Sequence, residues 1–381
     1  MPTDPPPGDE TRILLCIPSV GGGGAERQVR LLAPRLVERG LRVSLFSRFA
    51  GDEVAGLTAA GIACFPIEAA GNHDPRLVAE LARAARRARA QVLHTWLTQM
   101  DVIGGAVALA TRTAWVLSER CSPDHYAGRL KDRMRAWLGR FANVVVANSA
   151  SGLAVWPDHP RGMVIANGID HEAISLTPAA VPAAAAGRSP LIVTVARLAP
   201  QKRIDAVLRA LPRVRRSFPD VLLAILGKGP DEGALRALAA ELGVERNVLF
   251  AGFQPDAWTW LKAASLFVSA SRFEGQPNAV LEAAAAGTPQ VLSDIAMHRD
   301  AVGDGGALFV DPDDAEALAA AVGALIGTPA LARTVAASAR SAILPLSIGR
   351  AADLYAGLYR RAASGRPRLG AGRGAPWSSA V

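Results

Sequence analysis

The chain has 381 residues, enough for two domains, and half of them are hydrophobic. Its formal net charge of +8 suits an anionic partner, although an arginine-rich composition accounts for part of that charge. Its three cysteines, Cys16, Cys64 and Cys121, are too far apart for a disulfide framework or a zinc motif.

Two features of the sequence bear on location. No apolar run reaches the roughly 20 residues that cross a bilayer. The start, MPTDPPPGDETR, lacks the charged-then-apolar pattern of a signal peptide. We therefore expect a cytoplasmic protein. Any association with a membrane is expected to be peripheral and on the inner face.

Short apolar runs alternate with helical patterns through the first half of the chain. Strands are expected at 12–18, 41–47, 62–67, 92–96, 114–119 and 143–149. Helical patterns separate most of them, notably at 25–39, 75–89 and 125–141. Continuous apolar strands between helices indicate a parallel sheet covered on both faces.

The segment 176–190 interrupts this rhythm, and its Pro, Ala and Gly content is typical of a linker. Beyond it, strands are expected at 191–198, 221–227, 247–253, 266–272, 290–294 and 307–311. We predict an α/β fold of two doubly wound, Rossmann-like parallel-sheet domains, 11–175 and 191–345, facing each other across a ligand-binding cleft.

The last part of the chain is predicted to form a helix followed by a disordered tail, and the first residues are predicted to be disordered. A helix at 346–363 is expected to return to the first domain. The Gly-, Pro- and Arg-rich tail at 364–381 and the proline-rich start at 1–10 are expected to be disordered.

A glycine-rich loop follows the first strand and precedes a helix. Glycine lets the backbone approach a phosphate or a sugar closely, and a helix start offers free amides. Gly22 and Gly24 match the first two positions of the dinucleotide motif GxGxxG, but Arg27 takes the third, and no acid ends the second strand. The loop, with Gly23, therefore predicts a ligand contact other than nicotinamide, and a flexible tight turn is the alternative.

Two cations follow the first strand of the second domain. Arg197 ends that strand, and Lys202 lies just before the next helix. Cations at a strand's carboxyl end, beside a helix N-terminus, make a good diphosphate clamp. Two solvated surface charges are the alternative interpretation.

The stretch FEGQPNAVLEAAAAGTP carries two carboxylates on different elements. Glu274 lies in the loop after a strand, whereas Glu282 lies in the second turn of a packed helix that is expected to start at Pro277 and end at Gly287. A carboxylate there can accept hydrogen bonds from two vicinal ribose hydroxyls. The helix-start amides can hold a phosphate; they belong to Asn278, Ala279 and Val280.

Several motifs occur in a fixed order along the chain. The second domain contains VARLAPQKRID, LLAILGKGP, NVLFAGF, SRFEGQPNAVLEAAAAGTPQVLSD and GALFVDPDDAEAL. The first domain adds IPSVGGGGAERQVRLLAPRLVERG, VLHTW, LSER, VVVANSASG and VIANGID. This ordered set resembles the retaining glycosyltransferase family 4 of the GT-B fold, and in particular its bacterial polysaccharide and lipid-linked oligosaccharide enzymes.

The resemblance implies a nucleotide-diphosphate-sugar donor, bound mainly by the second domain. It implies that Arg197 and Lys202 neutralise the donor diphosphate, that Glu282 binds the ribose, and that Glu274 lies beside the transferred sugar. The glycine loop would face the diphosphate and sugar from the first domain. Gly227 and Phe253, in two of the matching segments, are assigned to the nucleotide site. Neither a metal nor another cofactor is implied.

The sequence departs from the family pattern at several positions. Arg203 follows Lys202 where many members have glycine. Glu119 and Arg120 stand where a first-domain histidine is expected, and they become candidate sugar or acceptor contacts together with His94. His94 is alternatively a satisfied strand-end residue.

These features favour a retaining transferase that moves a hexose-type sugar from a nucleotide-diphosphate donor, UDP rather than GDP, to a saccharide or lipid-linked saccharide in cell-surface glycan synthesis. One alternative is a nucleotide-sugar epimerase or hydrolase of the same fold. A non-catalytic nucleic-acid-binding protein is the other. It is disfavoured because aromatic residues are only 5% of the chain and do not interleave with basic ones outside 125–141. We expect no nucleic-acid partner.

The pattern at 125–141 is an amphipathic helix. Its apolar face carries Leu130, Met134, Trp137, Leu138 and Phe141. Its flanks carry Arg129, Arg133 and Arg140 on one side and Lys131 and Arg135 on the other. It is either an interfacial helix on anionic lipid or an ordinary domain helix that buries its apolar face, and we favour the second.

Overall fold

The computed structural model describes residues 10–48, 52–69, 71, 74–123, 126, 128–255 and 257–365. Disorder was predicted for 1–10 and 364–381, and of these residues 1–9 and 366–381 lie outside the described ranges. The prediction is wrong at Ser364, which is the last residue of a helix. The chain divides into two compact units. Unit 1 combines Met1–Gly168 with Ile348–Val381, and unit 2 is the continuous segment Ile169–Ser347.

Each unit is built on one parallel sheet. The seven strands of unit 1 are β1 Arg12–Cys16, β2 Arg42–Ser47, β3 Ala63–Pro66, β4 Val92–Trp96, β5 Ala114–Glu119, β6 Val144–Ala147 and β7 Gly162–Val164. The six strands of unit 2 are β8 Leu191–Val195, β9 Leu222–Leu226, β10 Val248–Gly252, β11 Leu266–Ser269, β12 Gln290–Ser293 and β13 Leu308–Val310. The sheet orders are β3-β2-β1-β4-β5-β6-β7 and β10-β9-β8-β11-β12-β13. The predicted α/β fold with two parallel sheets is confirmed, and only β7 was missed.

Helices alternate with the strands in both units. They are α1 Gly24–Val37, α2 Asp52–Ala59, α3 Arg76–Arg87, α4 Leu97–Thr111, α5 Leu130–Gly139, α6 Ala150–Leu153, α7 His171–Leu176, α8 Ile204–Ser217, α9 Glu232–Glu241, α10 Ala257–Ala263, α11 Asn278–Ala286, α12 Ala296–Val302, α13 Ala315–Gly327, α14 Pro329–Ile343 and α15 Ile348–Ser364. Short 3₁₀ turns with fully described residues lie at Ala183–Ala185, Pro200–Lys202 and Glu245–Asn247.

Alternate residues of each strand face opposite layers, which is why these strands are apolar throughout. In β1, Ile13 and Leu15 face a core shared with α1 and α15, while Leu14 and Cys16 face a core shared with α3 and α4. Helix α15 supplies the large buried side chains Tyr355 and Tyr359 to the first of these cores. The last helix is therefore an integral part of unit 1.

The predicted linker at 176–190 is wrong in its placement. The chain changes unit between Gly168 and Ile169, so the predicted boundary at 175 lies inside unit 2. Residues 176–190 belong to unit 2, where Ala185 is fully buried in the core beside β8. The small side chains of this segment pack onto unit 2. A packed segment and a linker can have the same Pro, Ala and Gly content, so composition alone cannot distinguish them.

Helix α5 lies the other way round from the expected orientation. The apolar face is exposed at Leu130, Met134, Trp137 and Phe141, and only Leu138 of that set is buried. The buried polar side of the helix is centred on Arg135, of which 3% is exposed. The preferred interpretation, in which an ordinary domain helix buries its apolar face, is therefore wrong.

Among the described residues, no single helix has the length and apolar content to span a membrane. One bent pair, α13 with α14, meets those two criteria jointly.

Candidate functional site

The predicted residues of unit 2 gather at the carboxyl edge of its sheet. Strand β8 lies between β9 and β11, so the loops after β8 and β11 diverge at the point where the strand order reverses. Such a switch point is where doubly wound sheets bind ligands. Arg197 follows β8, Gly227 follows β9, Phe253 follows β10 and Glu274 follows β11. The topology therefore collects side chains that are up to 77 residues apart in the sequence.

Lys202 and Glu274 form an ion pair at this switch point. The Lys202 Nζ lies 2.5 Å from Oε1 and 2.7 Å from Oε2 of Glu274. Ser271 Oγ donates a hydrogen bond of 2.7 Å to the same Oε1. Both side chains of the pair are mostly buried, with 20% and 12% exposed. Arg197 is exposed at the end of β8.

The glycine at position 227 is required by the backbone. Its φ is 142°, and a Cβ there would lie 1.9 Å from the carbonyl oxygen of Ala196. Gly229 is similar, because a Cβ there would lie 2.1 Å from the carbonyl oxygen of Leu198. The loops after β8 and β9 therefore cross in direct backbone contact, and this contact explains why both positions are glycine. The assignment of Gly227 to the nucleotide site stays a prediction.

Helix α11 begins at Asn278, so Pro277 is its N-cap and not its first helical residue. The helix ends at Gly287, whose φ of 77° fits the predicted C-cap. The backbone amides at its start, those of Asn278, Ala279 and Val280, lie in the first turn, where an α-helix offers no internal acceptor. Glu282 is buried on the packed side, with 7% exposed.

Arg203 occupies a left-handed conformation with φ 49°, which glycine adopts without strain and a residue with a side chain rarely does. Two carboxylates hold its guanidinium: Asp205 Oδ1 lies 3.1 Å from Nε and Asp313 Oδ1 lies 2.6 Å from Nη1. These contacts offset the backbone strain of roughly 1 kcal/mol.

The glycine loop of unit 1 closes over an acid that the sequence interpretation missed. Gly22 has a φ of 63°, and Gly23 is the N-cap of α1. The Glu26 carboxylate folds back so closely that a Cβ on Gly23 would lie 2.0 Å from its Oε2, and Ser19 Oγ donates to Oε1 over 3.3 Å. Burial raises the pKa of Glu26. An acid three residues after an N-cap is a capping-box signal that could have found it.

This carboxylate changes what the loop offers. A negative charge at the start of α1 repels a phosphate, whereas carboxylates bind sugar hydroxyls well. The expected contact of Gly22, Gly23 and Gly24 is therefore better suited to a sugar than to a diphosphate.

The sequence interpretation also missed Leu97, which follows β4 and whose φ of 71° is an outlier for a leucine. It lies beside β1 at the switch point of this sheet, where strained backbone commonly marks function.

His94 is a core residue. It lies within β4, is 0% exposed, and its Nδ1 accepts from the Tyr359 hydroxyl at 2.6 Å and from the Trp96 Nε1 at 3.2 Å. Burial, with a smaller effect of the Arg120 charge, lowers its pKa well below the ordinary value. The prediction of a ligand contact at His94 is replaced by the alternative, a packed strand residue.

Glu119 is also structural. It is 0% exposed and both oxygens are used by donors of unit 1. Oε1 accepts from the amides of Arg120 and Cys121 and from the Tyr126 hydroxyl, and Oε2 accepts from Arg135 Nη1 and Trp156 Nε1. A carboxylate with five donors has no capacity left for a ligand. The predicted sugar or acceptor contact is therefore corrected.

Arg135 connects Glu119 to a second buried acid. Its Nε lies 2.6 Å from Asp101 Oδ2 and its Nη1 lies 2.8 Å from Glu119 Oε2. Burial raises the pKa of Asp101 to about 6. Against the opposing effect of burial, the two carboxylates raise the pKa of Arg135, and the short contacts are those of an ionised group. This network fixes the polar side of α5 to the sheet.

Arg120 remains a candidate contact, because part of it is exposed. Its guanidinium donates to Ser118 Oγ, Asn167 Oδ1 and the Tyr355 hydroxyl, and it lies 3.8 Å from the ring centroid of Trp96. It therefore joins β5 to α15 and to Asn167, which lies close before the change of unit. Within the described ranges, no group of three or more His, Cys, Asp or Glu side chains has the arrangement of a metal site.

Two family models match the chain. The model for glycosyltransferase family 4 matches 22–173, and the model for glycosyl transferases group 1 matches 181–342. Together with the two parallel sheets, these matches identify the class. The chain belongs to the family 4 glycosyltransferases of the GT-B fold.

Curated relatives match mainly in part. A GDP-mannose-dependent α-(1-6)-phosphatidylinositol monomannoside mannosyltransferase of Mycolicibacterium smegmatis is 34% identical over 40% of this chain and 43% of its own length. The lipopolysaccharide core biosynthesis glycosyltransferase LpsE of Rhizobium meliloti is 33% identical over 38% and 41%. The chain thus spans less than half of each of these relatives. A D-inositol 3-phosphate glycosyltransferase of Nocardia farcinica is 26% identical over 82% and 79%.

Solved structures share the fold over nearly the whole chain. The HepE protein of Anabaena in complex with UDP-glucose is similar with a TM-score of 0.78, at 22% identity, covering 91% of this chain and 98% of that one. At this identity the likeness concerns the fold.

Proposed function

We propose that the chain is a retaining glycosyltransferase that moves a hexose-type sugar from a nucleotide-diphosphate donor to a saccharide or lipid-linked saccharide. The observation that carries the proposal is the pairing of Lys202 with Glu274 at the switch point of unit 2. A cation for the diphosphate and a carboxylate for the sugar are thereby side by side. The family membership and the names of the relatives support the same reaction class.

The charges suit departure of a nucleoside diphosphate. Arg197 and Lys202 supply two positive charges, and the first turn of α11 adds the positive end of a helix dipole. Such groups stabilise the charge that develops on the leaving phosphate. They supply this charge without a metal ion, so we propose a metal-independent transfer.

The donor surface extends along the same edge. In this proposal Glu282 accepts both ribose hydroxyls, while Gly227 and Phe253 lie against the nucleotide. Lys202 must exchange its bond to Glu274 for one to the diphosphate. The carboxylate thus released then faces the sugar as its bond to the leaving group breaks. The acceptor hydroxyl arrives on the same face, and the departing phosphate oxygen takes its proton.

We propose UDP as the carrier, as in the HepE complex, a structural neighbour; the GDP-mannose-dependent relative makes GDP the second candidate. A thermal-shift screen with UDP, GDP and ADP tests this choice. Ligand at 100 times its Kd stabilises the folded state by about 2.7 kcal/mol, which raises Tm by several degrees. A shift with UDP alone supports the proposal, whereas a shift with GDP alone replaces the base, and no shift with any of the three contradicts a nucleotide site.

Product analysis separates transfer from its alternatives. Purified protein is mixed with UDP-glucose, UDP-galactose or GDP-mannose and lipid-linked saccharide extracted from membranes. The expected product is a saccharide lengthened by one sugar with the donor's anomeric configuration. An epimerised nucleotide sugar or free sugar as the sole product would identify an epimerase or a hydrolase instead.

We also propose that the exposed face of α5 rests on an anionic membrane, which holds a lipid-linked acceptor. Leu130 is 73% exposed and Trp137 58% exposed, and their neighbours Arg133 and Arg140 are exposed as well. Apolar and aromatic side chains flanked by arginine are the pattern of an interfacial helix. The Arg135 network fixes this face toward solvent.

Flotation with liposomes tests the membrane surface. Wild type is expected to float with vesicles that contain 30% phosphatidylglycerol at low salt and to remain at the bottom with pure phosphatidylcholine. The double substitution Trp137→Ser and Phe141→Ser should abolish flotation. Leu344→Ser, an equally exposed apolar side chain in unit 2, is the matched control. Equal flotation of the double variant and the control would rule out this face.

A further inference from the structure

Three buried polar residues lie on the elements beside Glu274, and nothing in the proposed reaction uses them. Ser271 lies just after β11, Ser293 ends β12, and His298 lies in α12. Their exposed fractions are 1%, 1% and 0%. Buried polar groups are costly unless they are hydrogen-bonded, so a cluster of three at a ligand-binding edge needs an explanation.

The three side chains form one hydrogen-bonded series that ends on Glu274. His298 Nδ1 lies 2.9 Å from the carbonyl oxygen of Ser293 and 3.1 Å from its Oγ, and both oxygens accept from it. Ser293 Oγ donates to the carbonyl oxygen of Ser271 over 2.6 Å, and Ser271 Oγ donates to Glu274 Oε1 over 2.7 Å. Each step joins a different element, so the series runs from α12 through the end of β12 to the loop after β11.

The partner at one end fixes the state of the histidine. A carbonyl oxygen only accepts, so Nδ1 of His298 carries the proton and donates. Burial lowers the pKa of His298, and the ring is therefore neutral near pH 7, with its lone pair on Nε2. Nε2 is buried and has no hydrogen-bond partner within the described part of the chain. Only Nδ1 thus connects the ring to the series.

The two contacts of Glu274 differ in permanence. Lys202 is a long, flexible cation, and a donor diphosphate competes directly for it. Ser271, in contrast, is held by the main chain next to β11, and its hydroxyl has no charge for a phosphate to attract. Once a donor has drawn Lys202 away, Ser271 is the contact that still orients the carboxylate.

We propose that Ser271 positions Glu274 for sugar transfer, and that Ser293 and His298 hold Ser271 in place. The inference rests on the proposed function, because it assumes that Glu274 works beside the transferred sugar. Ser271 and His298 are positioning residues, since neither contacts the reacting atoms.

Isosteric substitutions separate this role from others. The side-chain nitrogen of asparagine falls close to Nδ1 of histidine, whereas that of glutamine falls close to Nε2. His298→Asn should therefore keep kcat within about threefold of wild type, and His298→Gln should lose on the order of 10-fold or more, because small misplacements of a reacting group are costly. Ser271→Ala should show the same loss as His298→Gln, with the donor KM nearly unchanged.

The matched control is Ser265→Ala. Ser265 Oγ accepts a hydrogen bond from the Leu191 amide at the start of β11, the opposite end of the strand from Ser271, so this variant loses one serine hydrogen bond far from Glu274. It should keep wild-type kcat. Activity of Ser271→Ala within twofold of wild type would overturn the proposal. Rescue by glutamine and not by asparagine would also overturn it, by making Nε2 the working atom.

Two measurements remain decisive whatever donor the enzyme uses. In ¹⁵N-histidine NMR spectra of the full chain, His298 should be the neutral Nδ1–H tautomer, and an Nε2–H tautomer would refute the series. Crystal structures of wild type and Ser271→Ala should differ in the position of the Glu274 carboxylate and not in the fold. An unmoved carboxylate would refute the positioning role. If wild type transfers no sugar while both measurements agree with expectation, the proposed function fails and the hydrogen-bonded series stands.

Discussion

Arg135 offers the sharpest test of how unit 1 holds α5. The substitution Arg135→Met keeps most of the side-chain volume and removes the charge. It leaves Asp101 and Glu119 buried without their shared cation, although both are 0% exposed. Removing one partner of a buried pair costs about 3–5 kcal/mol, and here two carboxylates lose it. We expect a loss of about 5 kcal/mol at pH 8.

The loss should depend on pH with a definite sign. The pKa of Asp101 is raised to about 6 even with Arg135 present. Without the guanidinium, whose charge lowers it, the folded-state pKa of Asp101 rises further, while its unfolded value stays near 4. The folded variant then binds more protons than its unfolded chain, so its stability falls as pH rises. Between pH 5.5 and pH 8 the extra loss reaches about 3 kcal/mol if the Asp101 carboxyl of the variant titrates above this range.

Urea unfolding followed by far-UV circular dichroism measures this effect. With a slope of about 2 kcal/mol per molar urea, 5 kcal/mol lowers the midpoint of the transition that carries unit 1 by about 2.5 M. Arg133→Met, on the exposed side of the same helix, is the matched control and should change stability by less than about 0.5 kcal/mol. Equal midpoints for the two variants at pH 8, or a smaller loss at pH 8 than at pH 5.5, would refute the reasoning.

Three further predictions concern the site and the core. Lys202→Ala and Glu282→Ala should each reduce transfer on the order of 10²–10³-fold while circular dichroism stays native, and wild-type turnover in either would contradict the site assignment. Burial lowers the pKa of His94, so below about pH 6.5 the unfolded state binds a proton that the folded state does not. The free energy of unfolding should therefore decrease with falling pH, by up to about 1.4 kcal/mol per pH unit. His94→Asn should reduce this pH dependence of the urea midpoint, and an unchanged dependence would contradict a neutral, buried His94. Gly227→Ala should lower Tm by several degrees, because the added Cβ would clash with the carbonyl group of Ala196. Gly233→Ala in α9 should raise Tm slightly, because the space around Gly233 is open and alanine favours a helix. The reverse order of Tm values would contradict the close contact of the loops after β8 and β9.

The sequence predicted the strands well because buried parallel strands are continuous apolar runs. Strand β7, Gly162–Val164, was missed because three residues at a sheet edge leave no such run. The segment 176–190 was predicted to be a linker because of its alanine-rich composition, although Ala185 is buried. Composition reports side-chain size and polarity, and it does not report whether a surface lies nearby to receive a small side chain.

The site was predictable where spacing along one element decides geometry, and not where distant segments meet. Periodicity correctly placed Trp137 and its neighbours on one face of α5, but it could not say which face is buried. That depends on Asp101 and Glu119, two acids on other elements that draw Arg135 inward. Likewise the motif residues Lys202 and Glu274 were found separately, and their direct pairing follows only from the strand order.

The division of the chain has a consequence for synthesis on the ribosome. Unit 2 is one uninterrupted segment inserted between the two parts of unit 1. Helix α15, which supplies Tyr355 and Tyr359 to the unit 1 core, leaves the ribosome after all of unit 2. Unit 1, whose strands are made first, is therefore completed last, and until then the part of its apolar core that α15 covers stays without that cover.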